Sequence, residues 1–321
     1  TRQVREKASK NTGIPAENIL LAPSQTHSGV AMTALGMYPN EDSKTWDNTI
    51  NGITIGIETA VNQMKEATIG FGRGDFKDYT INRRDPDLDA DGELLVIRLD
   101  IEEKPIGILY NVACHPLLLD YRNHHISADF PGYASPFVES SMGNGVLALY
   151  LQGAPGDVNP IRFPYQPKLN VYDDMSSNYP VFWGGFDDVK RFGQVLVAEV
   201  LRVAASIKTE SCQGLAASTV PVSVPLKDPE GVKQHCHFAA YTDQQTEKML
   251  TNSSLHTEIQ AIQLGNSVLI AIPGEPFAQI GLDIKKQVKN LEPIIVGDAN
   301  DDIRYIPVSY THLTLPTNRE V

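Results

Sequence analysis

The sequence predicts an α/β fold in which helices pack on a large mixed sheet. Short apolar runs rich in β-branched residues alternate along the chain with segments whose apolar residues recur every three or four positions. Several apolar runs also end abruptly in polar loops that contain glycine or proline, as buried strands do where they leave a sheet. Because helical and extended segments are interspersed, they are expected to form layers around a shared core.

The composition is that of a globular protein without a nucleic-acid-binding surface. With 321 residues, 41% of them hydrophobic, the chain is long enough to bury a substantial core. Its formal net charge of -12 argues against binding to nucleic acid, because such surfaces are basic. The sequence contains no apolar run of the roughly 18 residues that a transmembrane helix needs. We therefore expect no nucleic-acid partner and no transmembrane segment.

The first third of the chain is expected to begin with a helix and to continue into strands. A charged helix opens the chain and stops at Gly13, and a short strand follows at 19–22. Residues 46–66 carry isoleucine, valine and methionine at steps of three and four, which predicts an amphipathic helix. A hairpin is expected to join strands at 93–101 and 106–114.

The middle third is expected to alternate helix and strand. Asp129 can cap a helix that has proline in its first turn, and Gly143 ends that helix. A buried strand at 146–151 and a strongly periodic helix at 187–207 follow. Between them, 161–184 is rich in aromatic residues and proline without a clear period, which is typical of a surface loop that walls a binding site.

The last third is expected to add strands and one helix. Strands are predicted at 216–226, 257–264 and 267–272, and a Gly-Asn turn favours a hairpin between the last two. Apolar residues at helical spacing mark a helix at 277–291, and a final strand follows at 293–296. We find no internal repeat and no linker that would divide these elements into two domains.

Two apolar runs end in a potential metal ligand followed by proline. His115 and Pro116 follow the first run, and Glu275 and Pro276 follow the second. Proline interrupts the hydrogen-bond ladder just after each ligand, so each side chain is expected at a strand end that faces open space. Histidine and carboxylate held by rigid strands suit a zinc ion. For either residue alone, a polar side chain satisfied by backbone groups remains the alternative.

Three further apolar runs end in polar loops, at 25–29, 153–159 and 300–305. If the strands share a direction, their loops converge at the carboxyl edge of the sheet, where open α/β sheets bind ligands. Two histidines, a carboxylate and a tyrosine would then lie together. These are the residue types of a zinc hydrolase, in which the ion lowers the pKa of a bound water to about 7.

The sequence resembles the amidase domain of the neutral/alkaline (non-lysosomal) ceramidase family over most of residues 10–307. The order and spacing of several short motifs carry the resemblance. The motifs are Thr26-His-Ser-Gly29, Asn82-Arg83, Ala113-Cys-His115-Pro, Ile126-Ser-Ala-Asp129, Gly132-Tyr-Ala134, Gln152-Gly-Ala-Pro-Gly-Asp157-Val-Asn159-Pro, Gly274-Glu275, and Asn300 with Tyr305. In that family these loops build a deep zinc site that hydrolyses the amide bond between a fatty acid and a sphingoid base.

The resemblance implies a role for each matching residue. His115, Glu275 and Tyr305 match zinc ligands. His27 matches a histidine that orients or polarises the substrate, and Arg83 matches an arginine that contacts it. An arginine near the scissile carbonyl can stabilise the negative charge that develops there. Without the resemblance, Tyr305 reads as a packed aromatic residue and Arg83 as an ion-pair partner of the neighbouring Asp cluster.

Two positions depart from the family pattern. The family typically has His-Thr-His-Ser-Gly, whose first histidine is a zinc ligand, and this chain has Gln25 there. An amide oxygen is a weaker and harder ligand than imidazole, so zinc affinity is expected to fall or another metal to be preferred. Asn159 stands where the family has a serine proposed to act at the reacting carbon. Asparagine is no such nucleophile, but its N–H can donate to an oxyanion.

The resemblance implies a zinc-dependent hydrolase of an amide bond in an N-acyl lipid, with a metal-activated water. Two alternatives stay open: a zinc esterase or other hydrolase of a non-sphingolipid substrate, and a catalytically silent lipid-binding homologue. The expected partners are a small-molecule or lipid amide, with peripheral contact to a membrane. No targeting signal is present in the sequence, and the resemblance implies a secreted or periplasmic location.

The expected domain organisation is one hydrolase domain over residues 1–307. The family domain begins upstream of Thr1, so the chain is expected to lack its first strand and loop. Residues 308–321 do not continue the family pattern and are predicted to be a non-native tail.

Overall fold

The structure, a computed structural model, describes residues 1–30, 43–119, 123–161, 185–225, 250–251 and 254–308. The α-helices in these ranges are α1 (Arg2–Thr12), α2 (Ser43–Asn62), α3 (Asp129–Met142), α4 (Phe186–Ser206) and α5 (Ala278–Gln287). The strands are β1 (Thr68–Asp75), β2 (Thr80–Asn82), β3 (Glu93–Ile101), β4 (Lys104–Val112), β5 (Leu147–Gln152), β6 (Val158–Pro160), β7 (Glu210–Ser211), β8 (Leu215–Pro225), β9 (Leu250–Thr251), β10 (Ser254–Leu264), β11 (Ser267–Ala271), β12 (Glu275–Pro276), β13 (Glu292–Val296) and β14 (Tyr305–Ile306).

The first of two main sheets has the strand order β5-β4-β3-β1-β7. It is mixed, because β4 and β5 are parallel while β1, β3 and β4 pair antiparallel. The parallel pair matters for the site. Both strands carry their carboxyl ends to the same edge, so the loop at 113–119 lies beside the loop at 153–157.

The second main sheet has the order β13-β11-β10-β8, and β9 pairs with β10. β10 and β11 form the antiparallel hairpin that the Gly-Asn turn predicts. β11 and β13 are parallel, so this sheet also brings two carboxyl ends together. These ends continue into the loops at 272–276 and 297–305.

The two sheets pack face to face, and helices cover the outer face of the first. In β3, Leu94 and Val96 point to one face, which is packed against α3 and α4. Leu95 and Ile97 point to the other face and join the apolar residues of β11 and β13. Burial on both faces explains why this strand is a continuous apolar run and not an alternating one.

Helix α4 packs unusually close to β1 because the strand is rich in glycine. A Cβ atom at Gly70 would lie 2.4 Å from the Ile207 side chain, and one at Gly72 would lie 2.8 Å from the Val203 side chain. Both distances are shorter than a Cβ contact allows. The Gly-rich segment of the sequence is therefore a strand whose missing side chains let a helix pack closely against its backbone.

The α/β fold class is confirmed, with differences in detail. The strands divide between two main sheets, whereas the periodicity suggested one large sheet. No strand is assigned at 19–22, and the last helix ends at Gln287. The predicted loop at 161–184 and the tail at 308–321 lie outside the described residues apart from Ile161 and Val308. Among the described helices, none is long and apolar enough to cross a membrane.

Candidate metal centre and active site

Two short ladders at the carboxyl edges of the main sheets build the candidate site. In the first, β2 pairs with β6, which places Asn159 opposite Ile81 and puts the Arg83 segment beside the loop after β5. In the second, β12 pairs parallel with β14, which places Glu275 directly beside Tyr305. Residues that are 30 or more positions apart in sequence thus become neighbours through backbone pairing.

His115 is completely buried and held at both ring nitrogens. Its backbone N–H donates to the carbonyl oxygen of Val158 over 3.0 Å, and its Nδ1 lies 3.1 Å from the same oxygen. A carbonyl oxygen only accepts, so Nδ1 is the donor in this contact. Nε2 lies 3.0 Å from Oε2 of Glu275. A carboxylate oxygen only accepts, so this contact is a hydrogen bond when Nε2 carries a proton, and a cation between the two atoms could take the place of that proton.

Glu275 is the residue on which the predicted site converges. Its carboxylate receives hydrogen bonds from His115 and Gln25 and also contacts Tyr305. Burial alone would raise the pKa of Glu275, but these hydrogen bonds and the nearby charge of Arg83 together hold the pKa below its ordinary value. Glu275 is therefore ionised at neutral pH, as a metal ligand has to be.

Tyr305 and Arg83 lie together above this carboxylate. The Arg83 guanidinium carbon lies 5.3 Å from the centre of the Tyr305 ring, within the range of a cation–π contact. Burial and the charge of Glu275 raise the pKa of the Tyr305 hydroxyl, and Arg83 opposes that rise. Arg83 is fixed from behind, because its Nη2 donates to the Gly156 carbonyl over 2.9 Å. Arg83 therefore lies within the site, in contact with Tyr305.

Gln25 lies in the site, but its amide oxygen is already engaged. Gln152 Nε2 donates to Gln25 Oε1 over 2.9 Å, while the Gln25 amide nitrogen faces Glu275. The orientation of Gln152 is set in turn, because its oxygen accepts from the Tyr150 hydroxyl and from the Cys114 backbone N–H. Gln25 has a φ of 63°, a left-handed conformation that is uncommon outside glycine.

His27 lies beside His115, with ring centroids 5.6 Å apart. Its side chain keeps some access to solvent, but the surrounding protein and the neighbouring His115 lower the pKa of His27 to about 4. The imidazole is neutral at physiological pH and has a lone pair available to accept a proton or a hydrogen bond. Its backbone N–H donates to the Pro116 carbonyl, which ties this loop to the His115 loop.

Asn159 is buried, and its side-chain oxygen has no hydrogen-bond partner among the described residues. An unsatisfied buried acceptor of this kind costs about 1–3 kcal/mol, which proteins tend to retain only where it serves a purpose. The amide thus offers an unused polar group next to Val158, whose carbonyl holds His115.

Asp157 and Asp129 fix the loops that carry the site. Asp157 accepts from the Asn82 side chain and from the backbone N–H of Ala278 at the start of α5, which joins the two short ladders. Asp129 accepts from the backbone N–H of Leu119 and so anchors the loop that follows His115. Burial raises the pKa of Asp129 to about 6. Asp129 is the first residue of α3 and not its N-cap, which is Ala128.

Three carboxylates cluster beside the histidine. Oxygens of Glu275, Asp298 and Asp302 all lie within 4.8 Å of one another. Burial and the charges of the other two carboxylates raise the pKa of Asp298 to about 8. Sequence reasoning missed both aspartates, although they follow a buried strand as Glu275 does. The only signal in the sequence was the Gly297–Tyr305 loop itself, from which Tyr305 alone was chosen.

Two glycines allow the backbones of the site to approach each other. A Cβ atom at Gly156 would lie 2.5 Å from the Glu275 carbonyl oxygen, and one at Gly274 would lie 2.6 Å from the Arg304 carbonyl oxygen. Gly274 also has a φ of 159°. Any side chain at either position would push Glu275 away from its neighbours.

Comparisons with known proteins agree with this architecture. Residues 4–162 match the family model of the neutral/alkaline non-lysosomal ceramidase N-terminal domain. The chain is 25% identical over 183 residues to neutral ceramidase from Mycobacterium tuberculosis, a match covering 47% of this chain and 28% of that protein. It is 30% identical over 173 residues to neutral ceramidase B from Dictyostelium discoideum, covering 44% of this chain and 24% of that protein.

The structure also superimposes on a solved protein. The crystal structure of neutral ceramidase from Pseudomonas aeruginosa matches with a TM-score of 0.71 at 19% identity, covering 96% of this chain and 59% of that one. At this identity the match establishes the fold. The matched regions make up about a quarter of the two curated relatives, so the chain corresponds to a part of those proteins.

Proposed function

We propose, from the premise that this chain belongs to the neutral/alkaline non-lysosomal ceramidase family, that it is a metal-dependent hydrolase of the amide bond in an N-acyl lipid. The observation that carries the proposal is the convergence of His115, Gln25 and Tyr305 on the Glu275 carboxylate. A ceramide-like substrate also implies peripheral contact with a membrane and a secreted or periplasmic location, and we include both in the proposal.

Three of the four expected ligands fit a zinc ion. His115 donates from Nδ1 to a carbonyl and offers Nε2, which is the usual arrangement of a metal-bound histidine. Glu275 is ionised, and Tyr305 is its neighbour across a parallel ladder. Gln25 fits less well, because its oxygen accepts from Gln152. We propose that His115, Glu275 and Tyr305 hold the ion, and that Gln25 orients Glu275.

The chemistry of a bound zinc ion would be to polarise the scissile carbonyl and to supply an activated water. The protein provides the surroundings. Arg83, held over Tyr305, offers positive charge to the carbonyl oxygen as it becomes negative. His27, neutral because its pKa is about 4, accepts a proton or a hydrogen bond at its free ring nitrogen. The amide of Asn159 has an N–H donor and an acceptor without a partner in the described part of the chain, and both could align the substrate.

The fixed geometry of these groups supports catalysis over simple binding. His115, Asn159 and Glu275 are each less than a tenth exposed. Backbone ladders set the positions of Asn159 and Glu275, and a backbone hydrogen bond to Val158 holds His115. Groups that are held in place before the substrate arrives need no reorganisation during the reaction.

The second candidate is a metal-silent lipid-binding domain, which the engagement of the Gln25 oxygen by Gln152 favours. The remaining alternative, hydrolysis of a non-sphingolipid ester or amide, is favoured by Asn159 in place of the family serine. Metal content separates the silent domain from both hydrolases, and a substrate panel separates the hydrolases from each other.

The test combines elemental analysis with a substrate panel. We expect about one zinc per chain in the purified protein, loss of that zinc in His115→Ala, and retention in the matched control His256→Ala, which changes an exposed histidine. We expect hydrolysis of an N-acyl lipid amide that follows the zinc content. No zinc in the parent but zinc in Gln25→His would support the silent domain, and ester cleavage without amide cleavage would support the other hydrolase.

A further inference from the structure

We propose that Asp298 and Asp302 form a second cation site, which shares Glu275 with the His115 site and takes a hard divalent cation such as Mn²⁺ or Ca²⁺. This inference does not require the chain to be a ceramide hydrolase. Two of its three residues, Asp298 and Asp302, lie outside the ligand set that the family resemblance implies.

The first observation is the spacing of the three carboxylates. One oxygen from each of Glu275, Asp298 and Asp302 lies within 4.8 Å of the other two. For any triangle with edges no longer than this, a point exists within about 2.8 Å of all three corners. Ca²⁺ binds oxygen at about 2.3–2.6 Å, so an ion at that point would need only small side-chain movements to bind all three.

The second observation is independent of the spacing. Asp298 is only 7% exposed, and its Oδ2 is inaccessible and has no hydrogen-bond partner among the described residues. A buried carboxylate oxygen without a partner loses its hydration without compensation. Asp298 lies within the group of three, and a cation bound there would supply the partner that its buried carboxylate lacks among the described residues.

The third observation is that, among the described residues, the ion pair at Asp302 is exposed to solvent. Arg304 Nη1 lies 3.8 Å from Asp302 Oδ2, but both side chains are more than half exposed to solvent. An exposed ion pair of this kind contributes about 0–1 kcal/mol and does not compensate for the buried charge. A divalent cation would do so directly.

The backbone holds Asp298 in place at a cost. Asp298, Asn300 and Arg304 have φ values of 51°, 70° and 69°, three left-handed residues within seven positions. Backbone hydrogen bonds from Asp298 to Gly274 and from Ala299 to Ile272 keep the loop against β11 and β12. Strain of this type costs about 1–3 kcal/mol per residue and clusters at functional sites.

An oxygen-only ligand set favours a hard cation over zinc. Carboxylates with water suit Mg²⁺, Ca²⁺ and Mn²⁺, whereas imidazole suits zinc. Among the harder ions, Mg²⁺ demands near-ideal octahedral geometry, and a set with one exposed member suits the more adaptable Ca²⁺ and Mn²⁺. Through Glu275 such an ion would also hold the loop that carries Tyr305.

The test uses His115→Ala as the background, so that the histidine site does not contribute. Metal-free protein is titrated with MnCl₂ and, separately, with CaCl₂ by calorimetry. We expect one site per chain in His115→Ala, at least tenfold weaker binding in His115→Ala/Asp298→Asn, and unchanged binding in His115→Ala/Asp301→Asn. Asp301 is the matched control, since it lies in the same loop but outside the group of three. Absence of binding in His115→Ala, or equal binding in the two double variants, would overturn the proposal.

A second measurement covers the case in which His115→Ala does not fold. The thermal midpoint of the zinc-loaded parent is measured with and without Mn²⁺, beside Asp298→Asn. We expect Mn²⁺ to raise the midpoint of the parent and not that of the variant. A zinc content of one with no Mn²⁺ effect would contradict this inference alone, while an Mn²⁺ effect without zinc would contradict the proposed hydrolase alone.

Discussion

His115 and Asp298 both approach the Glu275 carboxylate, but their surroundings differ. His115 has its backbone N–H and its Nδ1 bound to a carbonyl, and its Nε2 contacts Glu275. Asp298 lies beside two other carboxylates, on a loop with three left-handed residues. One of its oxygens is buried and has no hydrogen-bond partner among the described residues. The histidine side is thus preorganised by hydrogen bonds. The aspartate side is held only by its backbone and needs an ion or a proton to be stable.

This comparison shows that Glu275 contributes to two different environments, that of His115 and that of Asp298. Glu275 is ionised by the hydrogen bonds on its histidine side, and its charge then acts on Asp298. Whatever removes the charge of Glu275 should weaken the histidine side and relieve the aspartate side.

The largest effect is expected for Glu275→Gln, which keeps the volume but removes the shared charge. We expect less than a tenth of the parental metal content and a loss of hydrolysis of about a hundredfold or more, because both proposed sites lose a ligand. The measurements are elemental analysis and the rate on an N-acyl lipid. Glu66→Gln changes an exposed glutamate and is expected to behave as the parent. Normal metal content in Glu275→Gln would show that Glu275 is not a ligand shared by the two proposed sites.

A smaller effect is expected for His27→Gln, which tests whether the two neighbouring histidines do different work. His27 lies beside His115, and it is His115 whose Nε2 contacts Glu275. We therefore expect unchanged zinc content but hydrolysis reduced by about 10²-fold, the range for loss of a general acid–base group. Loss of zinc in this variant would show that His27 is a ligand and that our division of roles is wrong.

The next effect concerns stability and pH. Asp298 has a pKa of about 8 in the folded metal-free protein and 3.8 as its ordinary value. Between these pH values the folded protein holds a proton that the unfolded chain has lost, so the free energy of unfolding falls as pH rises from about 4 to about 8. We expect the free energy of unfolding of the metal-free parent to fall more steeply over this range than that of Asp298→Asn, by up to about 1.4 kcal/mol per pH unit.

Denaturant unfolding at pH 5 and pH 8 in the presence of a chelator measures this difference. Asp301→Asn is the control in the same loop, and its pH dependence should follow the parent. Parallel curves for the parent and Asp298→Asn would contradict the unfavourable burial of the Asp298 carboxylate.

The smallest effect is expected for Tyr305→Phe, which removes one hydroxyl beside Glu275. We expect zinc affinity to fall by about tenfold, less than for His115→Ala, because a phenol whose pKa is raised is a poor donor to a metal. Competition with a chromogenic chelator measures the affinity. If zinc affinity fell as much as in His115→Ala, Tyr305 would be as important a zinc ligand as His115.

The sequence predicted elements better than their assembly. Apolar periodicity and the positions of Gly and Pro predicted α3, α4 and the hairpin of β10 and β11 to within a few residues. They also identified the end of the strand before His115, because proline after an apolar run marks a strand end. For Glu275 the expectation was wrong, since the preceding strand ends at Ala271 and Pro276 continues the ladder of β12 with β14. Periodicity did not reveal that β3 and β11 lie in separate sheets, since both are buried on two faces and have no polar side to orient them.

The sequence by itself determined the α/β class, the family resemblance and the residue types at the strand ends. Tertiary structure alone decided that the Gln25 oxygen accepts from Gln152 and that Asp298 lies beside two other carboxylates. It also decided that the Asn159 oxygen is buried without a partner among the residues described. The physical reason is the range of the interactions. Strand ends and helices follow from neighbours in sequence, whereas hydrogen-bond partners and charge repulsion depend on side chains that pairing between distant strands brings together.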